Sequence, residues 1–134
     1  MEVVNLSIAY AIRISTNALK KSGTPERNAE IKARSLVRAE IDVQKGHGLS
    51  RVPSYAVQVR SGKVNGHASP VLEQVKPGLL RINAGFGFAY PAIDMALPAL
   101  AKRAQKLGIA AAAIYHSHHF GVAGHPCEDL ARQG

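Results

Sequence analysis

Four of the chain's six histidines fall within twelve residues, "IYHSHHFGVAGH" at 114–125, with two glycines among them. An imidazole changes charge near neutral pH, so a cluster of this kind suits proton transfer or metal ligation. A zinc centre needs three or four ligands whose spacing lets them converge, such as two His four residues apart on a helix with a third group elsewhere. His116, His118 and His119 are too close in sequence for that, and a site completed by His47, His67 or a carboxylate is the weaker reading, so no metal is expected. His119 stands apart because Phe-Gly-Val-Ala-Gly follows it. Gly121 and Gly124 are expected to let the backbone turn closely under a ligand, with N–H groups at the next helix start facing an anion such as a pyrophosphate. His67, His116 and His118 read as structural or surface residues.

A second constellation is "KGHGLSRVPSY", residues 45–55, with a histidine between two glycines and an arginine four positions later. The imidazole of His47 can move a proton, and the guanidinium of Arg51 can grip a carboxylate through two parallel hydrogen bonds. A proton donor plus a carboxylate clamp is the minimum equipment for redox chemistry at the carbon beside a carboxylate. Standing alone, the same residues also read as a turn histidine and a solvated arginine at a helix start.

These groups must be held by a fold, and composition bounds which. A chain of 134 residues and 14.3 kDa is long enough for one ordinary domain. Hydrophobic residues make up 46% but aromatics only 5%, with no Trp, so Ala, Val, Ile and Leu must build the core, which favours helices packed on strands. The formal charge of +8 and a pI near 10.0 suit an anionic partner. The 17 basic residues nevertheless form no run longer than a pair such as Lys20-Lys21, and no stacking aromatics interleave them, so dedicated nucleic-acid binding is not expected. Cys127 alone excludes an internal disulfide framework. With no leader pattern at the N-terminus and no apolar window of spanning length, a cytoplasmic protein without membrane attachment is expected.

Periodicity supplies the elements. Residues 7–22 place Ile8, Ala11, Ile12, Ala18 and Leu19 near one helical face, with Gly23 as the stop. A second helix follows, with Thr24 as N-cap, Pro25 at the first helical position and Glu26 in the first turn, its buried stripe formed by Ala29, Ala33, Leu36 and Val37. Ser50 is expected to cap a third helix, with Pro53 in its first turn and Gly62 at its end. "VLEQV" and "LLRIN", separated by Lys76-Pro77-Gly78, predict a hairpin or two adjacent strands. A long helix from about Pro91 to Lys106, with Pro98 as a possible kink and Gly108 as terminator, leads into the buried-strand candidate "IAAAAIY". The histidine loop leaves the carboxyl end of that strand, where α/β folds gather ligands. "PCEDLARQG" opens a last helix, and a parallel strand without its next crossover implies an architecture continuing past residue 134.

Together "GHGLSRVPSY", "VRSGKVNGHASP", "LRINAGFGFAYPAIDMAL", "AKRAQKLGIAAAAI" and "SHHFGVAGH", with the paired N-terminal helices, resemble the type 2 malate/L-lactate dehydrogenase family. That family also holds ureidoglycolate dehydrogenases and reductases of cyclic imino acids. The resemblance implies an oxidoreductase passing hydride between NAD or NADP and a small 2-hydroxy or 2-imino carboxylate, and a homodimer. It implies an α/β fold in which a helical segment with the substrate motif, residues 1–70, precedes the start of an atypical cofactor-binding domain, residues 71–134, without GxGxxG. Indeed "GFGFAY" has Tyr90 where a third glycine would stand. Carried over by position, His47 and His119 are the catalytic or proton-relay histidines and Arg51 the substrate-carboxylate residue. His119, Phe120, Gly121, Val122, Ala123 and Gly124 lie beside the cofactor.

The chain departs from the family pattern at three points. Gly46 replaces a frequent Ser, removing a hydroxyl from the relay, and Val43 replaces a frequent Gly, a change expected to affect the helix exit more than the chemistry. Family members are also more than twice as long, so the chain reads as an incomplete fragment with little activity alone. The alternative from composition is a small basic α/β module that holds an anion or nucleic acid without catalysis.

Overall fold

The computed structural model describes residues 4–134, which form two compact units divided between Gly66 and His67. The first unit is helical. Helix α1 (Ile8–Lys21) starts where Ser7 accepts the Tyr10 N–H through its hydroxyl oxygen, at 3.2 Å. Helix α2 (Glu26–Ile41) packs along it, and Ala29, Ala33, Leu36 and Val37 are all buried, as their spacing predicts. The expected α1 face is only partly correct: Ala11 and Leu19 are buried, but Ile8 is exposed, and Ser15 and Thr16 take the contact instead. Small side chains at those two positions let the helix backbones approach, and Ile8 lies too near the helix start to be covered.

Two expected caps are not formed. Pro25 keeps an extended ψ of 151° and is itself the residue that flanks α2, its carbonyl accepting from Ala29 at 2.9 Å. Thr24 is thereby moved one residue out, and its buried hydroxyl makes no capping bond. Helix α3 (Val52–Arg60) is entered from a 3-10 turn at Leu49–Arg51, so Ser50 lies inside that turn and donates to the Lys45 carbonyl at 3.0 Å instead. Pro53 does occupy the first turn, and Gly62 (φ +76°) ends the helix.

α1 and α2 leave by the same hydrogen-bond pattern. At the end of α1, Gly23 N–H donates to Lys20 O and Thr24 N–H to Leu19 O; at the end of α2, Val43 N–H donates to Glu40 O and Gln44 N–H to Ala39 O. This pattern requires a left-handed residue one place past the cap, a conformation that glycine adopts freely. Gly23 meets it with φ +102°, but the second position holds Val43 at φ +59°. The replacement does act on the helix exit.

The second unit is a three-stranded sheet with helices. Strands β1 (Val71–Lys76) and β2 (Leu79–Asn83) form the antiparallel hairpin expected around Pro77-Gly78, with an irregularity between Gln74 and Lys76. Helix α4 (Ala89–Leu107) crosses over to β3 (Ala111–Tyr115), which pairs parallel to β2 from Leu79↔Ala111 to Asn83↔Tyr115. α4 begins two residues earlier than expected and runs through Pro98 to Gly108 (φ +82°). Leu80, Ile82 and Ala84 bury one face of the sheet against Ala92 and Ala96 of α4, flanked by Leu72, Ala112 and Ile114. Full burial of Leu80 and Ile82 contributes about 1.5–3 kcal/mol each. Helix α5 (Gly124–Ala131) starts at Gly124, two residues before Pro126. No helix among the described residues is long and apolar enough to cross a membrane.

Among the described residues of the first unit, one buried cation occurs. Lys32 of α2 is 0% exposed and its Nζ lies 4.0 Å from the centroid of the Tyr55 ring. Burial pushes its pKa down from 10.5 to about 7. Between about pH 7 and 10.5 the unfolded chain therefore holds a proton that the folded chain does not, and stability must rise with pH across that window.

Two outcomes follow for unfolding experiments. Val43→Gly, at a side chain 75% exposed, should raise stability by about 1 kcal/mol, the relief of left-handed strain outweighing glycine's entropy. Lys32→Met should flatten the rise in stability between pH 7 and 10 and leave the protein more stable at pH 7; an unchanged slope would mean that Lys32 keeps its proton when folded.

Candidate functional site

In the first unit the motif at 45–55 folds back on itself. His47 closes a 3-10 turn, Lys45–His47, its N–H donating to Gln44 O at 2.8 Å, and its side chain is half-buried. Arg51 closes the next turn, where its Nε donates to the Gly46 carbonyl at 2.6 Å. The Nε edge of the guanidinium is thus occupied. Its two Nη groups have no partner among the described residues, and they offer the end-on pair of donors that a carboxylate would take. His47 and Arg51 are brought onto consecutive turns tied by two side-chain bonds, from Ser50 and from Arg51.

Sequence reasoning missed what positions these turns. Glu40, in the last turn of α2, accepts the Leu49 N–H through Oε1 at 2.8 Å. The same carboxylate occupies the space a β-carbon would need at Gly48, which is buried. So the lack of a β-carbon at Gly48, rather than a special φ, gives the Glu40 side chain room to anchor the turn that follows His47. Only the tertiary approach of α2 reveals this; an acid eight residues before a glycine carries no signal of its own.

In the second unit His119 is exposed in the loop 116–123 that joins β3 to α5. Together with His118 and Phe120 it borders a cavity of about 660 Å³ that Ile93, Leu97 and Leu100 of α4 also line. Gly121 N–H donates to the Tyr90 hydroxyl at 3.3 Å, tying the loop to α4. Val122 is half-buried, Ala123 flanks α5, and Gly124 is the first residue of that helix. Neither Gly121 nor Gly124 takes a positive φ; the reversal after β3 is made by His116 at φ +49°, facing Phe86 at φ +60°. Each of these costs about 1–2 kcal/mol for a residue bearing a β-carbon. No group of three or more His, Cys, Asp or Glu that could hold a metal occurs among the described residues.

This α/β unit therefore presents imidazoles at the carboxyl end of a parallel strand, the end at which open α/β sheets bind ligands. The chain belongs to the malate/L-lactate dehydrogenase family, which matches residues 6–134. It is 44% identical over 129 residues to the (2R)-3-sulfolactate dehydrogenase (NADP(+)) of Chromohalobacter salexigens, covering 96% of this chain and 38% of that protein. It is 41% identical to the Delta(1)-pyrroline-2-carboxylate reductase of Ancylobacter novellus, over 90% of this chain and 36% of that one. Among solved structures, the delta1-piperideine-2-carboxylate reductase of Pseudomonas syringae pv. tomato superposes with a TM-score of 0.93 at 33% identity, over 98% of this chain and 40% of that chain. The chain thus spans about two fifths of the length of these relatives.

Adding a methyl group at Gly48 should displace Glu40 and release the Leu49 N–H. Gly48→Ala is expected to cost about 1–2 kcal/mol. Adding Glu40→Ala to it should cost little more, since both changes remove one interaction, and a fully additive pair in urea unfolding would contradict that account.

Proposed function

We propose that this chain carries part of the active site of an oxidoreductase that moves hydride between a nicotinamide cofactor, NAD or NADP, and a small carboxylate, either a 2-hydroxy/2-oxo acid or a cyclic 2-imino acid. The observation that carries the reading is the family match over residues 6–134. Arg51, through its Nη groups, holds the substrate carboxylate and orients the carbon beside it. His47 and His119 take and return the proton of the hydroxyl or imine nitrogen, since an imidazole can both accept and donate one. With Gly46 preceding His47 there is no hydroxyl at that position to join the relay.

The cofactor, when bound, supplies the hydride acceptor or donor. The residues present fit such a group. Ile93, Leu97 and Leu100, which line the same cavity as His119, suit a flat ring, and the first turn of α5 carries no acidic residue to repel a phosphate. Residues 120–124 hold it beside His119. Homodimeric assembly belongs to the same reading.

A thermal melt of the chain with and without millimolar NADH and NADPH tests it. A midpoint raised by either cofactor is expected, because a ligand that binds only the folded state stabilises it, and His119→Ala should reduce the shift. Indifference to both cofactors, together with salt-sensitive binding to a polyanion such as heparin, would instead identify a basic module without catalysis.

A further inference from the structure

The loops that follow β2 and β3 are joined to one another before either reaches its helix. Ala84 N–H donates to Tyr115 O at 2.9 Å, Phe86 N–H to His116 O at 2.7 Å, and His118 N–H to Gly87 O at 3.0 Å. At the middle of this seam both residues are left-handed, and neither is glycine. Their rings are stacked, with centroids 4.4 Å apart and planes at 22°, while the imidazole also meets Tyr115 at 4.8 Å. His116 Nδ1 lies 3.3 Å from the Asn83 Oδ1 that already accepts the Gly85 N–H at 2.9 Å. An amide oxygen only accepts, so this contact is a hydrogen bond in the tautomer that carries the proton on Nδ1.

Burial does not explain the arrangement, since Phe86 is 62% exposed. What opposes the unfavourable backbone is the stack itself, whose attraction is directional and exists only when both residues turn toward each other. Strain of this kind persists where the surroundings over-determine it, and here it occurs three residues before His119. His118, whose N–H ends the seam, is His119's chain neighbour.

Resting on the reading of His119 as a proton-moving group, we propose that the Phe86–His116 stack is a clasp that positions His119 by fixing the exit of the β3–α5 loop. Phe86 and His116 are positioning residues and need not touch substrate. The clasp spans two loops, so loss of either ring frees the same loop, and the two losses are not additive.

The test uses the 134-residue chain with ¹³C-labelled histidine rings, His119 signals being identified by their disappearance in His119→Gln. Phe86→Ala and His116→Ala are each expected to shift and broaden the His119 signals and to weaken NADH binding about tenfold, with no further loss in the double variant. Phe86→Tyr, which keeps the ring, should restore both properties. All spectra are taken below the lowest melting midpoint of the set. A role confined to stability would lower that midpoint while leaving the His119 signals at their original positions, and that result overturns the proposal. Should Phe86→Ala fail to fold, Phe86→Gly removes the ring while relieving the backbone and supplies the same comparison. Absence of NADH binding to the unaltered chain would remove the cofactor reading, whereas the His119 signals would still decide whether the clasp exists.

Discussion

The parallel pairing of β2 with β3 is the constraint on which the second unit depends. Ile82 opposite Ile114 and Asn83 opposite Tyr115 put both carboxyl ends at one level, so the two following loops emerge side by side. The pairing is held by Leu80 and Ile82 against the alanines of α4, whose small side chains let the helix lie close to the sheet. Because the strand ends coincide, three backbone hydrogen bonds can continue the seam beyond them. His119 follows directly on this seam, in a loop that the Gly121 N–H also ties to the Tyr90 hydroxyl.

Strain is concentrated where chemistry is proposed. Among the described residues, the non-glycine residues with positive φ are Val43, Phe86 and His116. Val43 turns the chain out of α2 toward His47 and Arg51, His116 turns it toward His119, and Phe86 faces His116 from the loop after β2. Each is compensated by a nearby interaction. Two backbone bonds close the α2 exit, and the Glu40 carboxylate then fastens the turn beyond it. At the β3 exit a ring stack and an amide contact do the same.

Lys32 adds a different kind of opposition. The face of α2 that meets α1 and α3 is built from alanines, Leu36 and Val37, yet it also takes in an amine facing the Tyr55 ring. Desolvation disfavours the charged form, and the ring returns part of that loss only while the charge is present. The helix that positions Glu40 thus carries a stability that varies with pH, independently of any titration at the candidate site.

The elements themselves were legible in the sequence because their signals are local. The alanine stripe of α2, Pro53 in the first turn of α3, Pro77-Gly78 between two apolar runs, and Gly23, Gly62 and Gly108 past helix ends all depend on neighbours within a few residues. The motif around His47 and Arg51 and the loop at His119 were legible for the same reason, as residue types at fixed spacing. Tertiary structure decided the rest. Whether Thr24 or Ser50 caps a helix depends on one residue of register, which Pro25 and the 3-10 turn settled. That Glu40 reaches Leu49, that Lys32 is enclosed, and that Phe86 stacks on His116 across thirty residues of sequence are consequences of chain segments meeting in space. Such contacts arise from burial and pairing between elements, and no periodicity within one element encodes them.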